Sequence, residues 1–191
     1  MPTGIALQDA RTRLFSAADN VLLRDGANAL TSRAVTDELG VAKGVLHHHF
    51  ADFDTFLADL VLAHTDALAN VADQLHRRTG AGTIVANLRY ALTSIFDPLG
   101  LAMIRLVISR DAVRDLLRSS GSRGFPYLGR ASEVLTDYLA AEREGGRLLT
   151  DADPQSLALT LIGTGHLLFA GESGTSPNPD AVDEAIASIL R

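Results

Sequence analysis

The stretch Thr31 to Phe50, TSRAVTDELGVAKGVLHHHF, constrains this chain more than any other, because it reads as two short helices joined by a tight turn. Thr31 or Ser32 can cap the first helix, since a side-chain oxygen there accepts from a backbone amide that has no partner in the opening turn. Ala34, Val35 and Leu39 follow at spacings that place them near one helical face. Gly40 stands where helices commonly end in a left-handed residue, a conformation that costs glycine no steric penalty. A second helix opens within two or three residues, with Val45, Leu46 and Phe50 on its inward side, and the unit is a helix-turn-helix.

In such a unit the second helix can lie in the major groove of duplex DNA while the first crosses the backbone. Its outward residues here would be Lys43, Gly44, His47 and His48. Lysine donates to phosphate or guanine, glycine permits close backbone approach, and histidine can meet base edges or phosphates. An ordinary helical hairpin in an all-helical core has the same pattern, and this segment alone does not separate the two readings.

The wider run from Arg13 to Leu57 resembles the DNA-binding domain of the tetracycline-repressor (TetR) family. It has a first helix, RLFSAADNVLLRDG, that ends in glycine, then an Ala-Asn-Ala-Leu-Thr link, the unit above, and an acidic helix start, ADFDTFL. Its most specific part is GVAKGVLHHHF followed by DxxFL. Carried over residue by residue, the resemblance implies DNA contact through Thr31, Ser32, Arg33, Ala42, Lys43, Gly44, His47 and His48. Three positions depart from the family pattern. Ala42 stands where Ser or Thr is usual, His47 where Tyr is usual, and Phe53 where a lysine of the fourth helix usually meets a phosphate. Backbone contacts are thereby thinned.

With 191 residues, 47% of them hydrophobic and 21% charged, the chain can bury a substantial core and is globular. Alanine and leucine abound while alternating β-branched runs are scarce, so an all-α fold is expected. The net charge of -6 is a mild contrary signal for a DNA-binding protein, since phosphate neutralisation supplies most nonspecific affinity. Over residues 1–50 the charges balance, Arg11, Arg13, Arg24, Arg33 and Lys43 against Asp9, Asp19, Asp25, Asp37 and Glu38. Acidity lies in the remainder, which argues against a protein that coats DNA indiscriminately. The absence of cysteine excludes disulfide scaffolds, thiolate metal sites and cysteine nucleophiles. No signal-like start and no apolar run of about 18 residues is present, so a cytoplasmic protein without membrane contact is expected.

Taken in order, the pattern predicts helices at 7–24, from 52 continuously to about 77, at 84–96, 98–109, 111–117, 126–144, 154–170 and 180–190, with loops at 119–124 and 171–179. The expected architecture is an N-terminal three-helix helix-turn-helix domain, residues 1–51, joined by a long helix to a helical ligand-binding and dimerisation domain, 52–191. The resemblance implies a homodimer built from the last two helices. Leu157, Leu161, Gly165, Leu168, Val182, Ile186 and Ile189 are the candidates for that interface, glycine removing bulk where backbones approach. The competing reading is that these helices only close one subunit's core.

Polar groups on otherwise apolar helices, His64, Arg89, Tyr90, Tyr127, Tyr138 and His166, together with Met103, are candidates for lining an effector pocket. For each one, core packing is the competing role. Three consecutive helical histidines, His47 to His49, point about a third of a turn apart and cannot chelate one ion from one face. No serine nucleophile elbow, dinucleotide fingerprint or phosphate loop occurs, so neither an enzyme nor a cofactor is expected. The expected function is a dimeric regulator of transcription, most simply a repressor, that binds a palindromic double-stranded operator and is released by an unidentified small molecule. The alternative is a small all-α ligand-binding protein or enzyme that has kept the hairpin without reading DNA.

Overall fold

Local signals decide where the helices begin and end. In the computed structural model, which describes residues 4–121, 125–171 and 177–191 with side chains from residue 9 onward, the described residues form eleven α-helices and no strand. They are α1 (Gly4–Asp25), α2 (Ser32–Leu39), α3 (Gly44–His49), α4 (Phe53–Ala67), α5 (Ala69–Arg78), α6 (Ile84–Ile95), α7 (Pro98–Ser109), α8 (Asp111–Ser119), α9 (Pro126–Glu144), α10 (Pro154–Ala170) and α11 (Pro179–Ile189). A single 3-10 turn, Ala27–Ala29, links α1 to α2. Side-chain caps open several of them: Thr31 accepts from the Ala34 amide at 3.1 Å, Thr83 from Ala86 at 3.1 Å, and Asp153 from Ser156 at 2.9 Å. Gly26, at φ 82° and ψ 173°, follows α1, and Gly40, at φ 70° and ψ 31°, is the left-handed stop expected after α2. Of the two expected loops, residues 122–124 and 172–176 lie outside the described residues.

One expected element is corrected. The single helix from 52 to about 77 is two helices, interrupted at Leu68. The Leu68 amide bonds to the Thr65 carbonyl at 3.2 Å, three residues back, which tightens one turn. Leu68 itself is buried, so the interruption places one more leucine inward. A stripe of apolar residues with no glycine or proline gives no warning of such a break.

The chain packs as two units. The first comprises residues up to His64 together with Leu101–Pro126; the second comprises Thr65–Gly100 and Tyr127–Arg191. A linear reading places the division at 51/52, but α4 puts Phe56, Leu57, Leu60 and Val61 fully inside, and Phe56 is ringed by Phe15 and Phe50 at 5.6 and 4.9 Å. The opening turns of α4 are thus core of the first unit. In that unit α1, α2 and α3 all pack on one another. In the second, α6 packs on α5 and α11, and α11 on α10.

Candidate nucleic-acid interface

The helix-turn-helix is built as its residues require. Val35, Leu46 and Phe50 are buried, as are Leu14, Ala18 and Val21 of α1. From α1, Arg24 pairs with Glu38 of α2 at 2.7 Å, and that hydrogen bond holds the Glu38 carboxyl below its ordinary value of 4.5. The turn itself is closed by the Val41 amide on the Thr36 carbonyl at 3.0 Å.

With those residues inward, Lys43 just before α3 and Gly44, His47 and His48 on it are all exposed. A side chain placed on Gly44 would meet nothing within 4 Å, so the space before this face is open. Helix α3 starts at Gly44, two residues after Ala42, and the preceding Lys43 makes no side-chain cap. Ala42 is exposed and its carbonyl accepts from the Val45 amide at 2.9 Å, so the opening turn forms without a hydroxyl to help it. At the start of α2, Thr31 is exposed and spends its hydroxyl on the cap. Ser32 keeps a buried hydroxyl with no partner. Arg33 is 84% exposed and pairs with exposed Asp37 at 3.4 Å, a contact weak enough to exchange for a phosphate.

Phe53, where the resemblance would put a phosphate-binding lysine, has a packing role. Its ring stacks on Phe56 at 5.7 Å with an 18° interplanar angle, and the Arg110 guanidinium sits 5.5 Å from its centre.

The seven candidates for an effector pocket are divided between the two units. His64 and Met103 belong to the first unit, where the His64 Nε2 lies 2.9 Å from the Asp19 carboxylate and Met103 is fully buried. In the second unit Arg89 pairs with Asp183 at 2.8 Å, and Tyr90 lies under the Arg78 guanidinium at 4.1 Å. Tyr127 donates its hydroxyl proton to the Ile95 carbonyl at 2.8 Å, and burial raises its pKa above the ordinary value of 10.0. Tyr138 accepts from the Asn87 amide at 2.9 Å, and its hydroxyl is pushed up to about 12, chiefly by burial. His166 is half-buried, 6.0 Å from the Phe96 ring. Only Tyr138 among the seven lines the cleft of about 200 Å³ between α5 and α9, beside Asp73, His76, Thr79 and Asp137. Among the described residues no cluster of three histidine or carboxylate groups could hold a metal ion.

Most of the residues expected at the dimer interface lie inward in the subunit. Leu157, Leu161, Gly165, Val182 and Ile186 are buried inside the subunit, while Leu168 and Ile189 are half-buried. A side chain on Gly165 would come within 2.6 Å of Phe96 and 3.1 Å of Leu92, so this glycine makes room for α6 of its own chain. The outward face of α10 instead carries Leu159 at 66% exposure, Gly163 and Leu167 at 76%. Helix α10 is apolar on nearly every side, and a helix of that kind does not reveal by periodicity which stripe is inward.

Residues 14–59 match the pattern described as bacterial regulatory proteins, tetR family. No curated protein matches the chain. Among solved structures, a TetR-family transcriptional regulator from Mesorhizobium loti is similar at 18% identity and TM-score 0.73, over 99% of this chain and 96% of that one. GusR of Salmonella enterica is similar at 16% identity and TM-score 0.70, over 98% and 95%. A protein from Saccharomonospora viridis described as a transcriptional regulator, in complex with choline, is similar at 17% identity and TM-score 0.67, over 96% of both chains.

Proposed function

We propose that this protein is a homodimeric, ligand-responsive repressor of transcription, a reading supported by the tetR-family match of residues 14–59 and by the likeness of the whole chain's fold to a TetR-family regulator. A DNA-binding regulator of the TetR fold is the premise of this reading. The observation that carries the reading is the outward face of α3, where Lys43, Gly44, His47 and His48 stand together over open space on a helix anchored by Leu46 and Phe50. Residues 1–51, with the opening turns of α4 packed beneath them, act as the reading head, and the remainder binds an effector and the second subunit. Two heads on a palindromic operator need a dimer, and the outward stripe Leu159, Gly163 and Leu167 of α10 is the surface for it.

A small molecule acts as the effector, a reading supported by the choline-bound neighbour of the same fold. Its release of DNA depends on how differently it binds the DNA-competent and the released states, since equal affinity for both would shift nothing. The head carries no net charge over residues 1–50, which favours the rival reading of a helical ligand-binding protein or enzyme that ignores DNA. A gel shift decides between them, using duplex from immediately upstream of the protein's own gene against random duplex of equal length. Tighter binding to the upstream duplex is expected. Equal binding to both, or none, overturns the proposal in favour of the rival.

A further inference from the structure

Helices α7 and α8 are separated by a single residue, Arg110, whose backbone is extended at φ −130° and ψ 102°. Arg114 of α8 fastens the junction by donating to the last carbonyls of α7, Val107 at 2.7 Å and Ile108 at 2.5 Å. Arg110 is therefore delivered from a stiff corner, and its side chain does not stay on its own helices. Its Nη2 donates to the Leu30 carbonyl at 2.8 Å, one residue before the Thr31 cap of α2. Its Nη1 lies 3.7 Å from the Asp54 carboxylate, and the guanidinium lies 5.5 Å from the Phe53 ring, both on the first turn of α4. The side chain is only 27% exposed.

We propose that Arg110 is a positioning residue of the reading head, tying the entry to α2 and the start of α4 to the α7–α8 corner. The guanidinium suits the role because its planar fork reaches two acceptors at once, which an ammonium cannot do with the same geometry. A hydrogen bond of 2.8 Å is lost beyond about 3.5 Å, so a displacement of α7–α8 by about 1 Å, within the range of ordinary helix shifts, releases the entry to α2. Leu30 is fully buried, so its freed carbonyl has no ready access to water. That the released head reads DNA less well rests on the function proposed above; the tie itself does not.

The test is amide hydrogen exchange on the full chain, with Arg110→Met, Arg110→Lys and, as a control on the same helix, Arg118→Met. Arg118 is 60% exposed and, among the described residues, pairs within α8, with Asp115. Arg110→Met should speed exchange over residues 30–39 by about tenfold or more, the factor expected for losing a charged hydrogen bond, while residues 14–22 in the middle of α1 keep their protection. Arg110→Lys, able to satisfy one acceptor but not both, should fall between Met and the natural chain, and Arg118→Met should match the natural chain. Unchanged exchange over 30–39 in Arg110→Met, an equal rise over 14–22, or a lysine variant as protected as the natural chain would each overturn the assignment. A gel shift on the same variants reads DNA binding separately, so loss of protection without any DNA binding in the natural chain would sink the regulator and leave the tie standing.

Discussion

The dimer surface yields the sharpest prediction, because α10 offers two leucines of opposite standing one turn or less apart. Leu159 and Leu167 are 66% and 76% exposed, whereas Leu161 is fully buried in its own subunit. Burying a whole leucine contributes roughly 1.5–3 kcal/mol, so covering the exposed part of these two contributes about 1–2 kcal/mol each. A two-fold axis doubles the set, and four leucines supply about 4–8 kcal/mol, equivalent to some three to six powers of ten in dissociation constant. Glutamate at both positions removes that contribution and adds desolvation of charge. Leu159→Glu/Leu167→Glu should therefore sediment as a monomer at concentrations where the natural chain is a dimer, with its helical circular dichroism intact. Leu161→Glu should instead unfold the subunit, since it buries an unpaired charge among apolar neighbours. A double variant that still dimerises with unchanged strength, a natural chain that is monomeric at tens of micromolar, or a folded Leu161→Glu would refute the reasoning.

Gly165→Ala should destabilise the subunit by about 1–3 kcal/mol in a urea melt, because the new methyl meets Phe96 at 2.6 Å, while Gly163→Ala, facing open space, should cost the folded subunit nothing. Phe53→Lys loses the stack on Phe56 and sets an ammonium against the Arg110 guanidinium, so its melting point should fall by the equivalent of about 1–2 kcal/mol. If its ammonium also reaches a phosphate, the slope of log affinity against log salt should steepen by about 0.9, and an unchanged slope would show that this position does not face the DNA backbone. Asp52 caps α4 by accepting from the Thr55 amide at 2.7 Å, which holds its carboxyl below the ordinary 3.8. A carboxyl lowered by folding adds stability above its unfolded value and loses it as pH falls through the folded one. Between pH 6 and pH 3 the natural chain should lose more urea resistance than Asp52→Asn, and equal losses would remove the cap from the account.

Much of the helical layout was legible because its causes lie within a few residues of each other. Thr31, Asp153 and Asn178 are side-chain caps on the helices that follow them, Gly26, Gly40 and Gly146 adopt positive φ at or just past helix ends, and Pro126–Glu144 has the extent its periodicity predicts. The inward and outward sides of α3 were legible too, since in a mixed polar and apolar helix the stripe is visible, whereas on α2 Thr36 is buried beside Val35 and the expected Ala34 and Leu39 are half-buried.

Where a residue's role depends on what lies across the fold, the sequence was silent. Helix α10 is nearly all apolar, so which of Leu159 and Leu161 faces out was decided by Phe96 and Leu92 arriving against Gly165. Arg89, Tyr90 and Tyr127 left a ligand role and a packing role both open in the sequence, and the Asp183 carboxylate, the Arg78 guanidinium and the Ile95 carbonyl that meet them become visible only in the fold. Arg110 carried no signal at all, because its acceptor at Leu30 lies 80 residues away. Caps and stops are contacts a chain makes with itself over three or four residues, and their chemistry is written in adjacent letters. Burial, pairing and the choice of an outward face are made by contacts between distant segments, and only the closed tertiary structure brings those partners together.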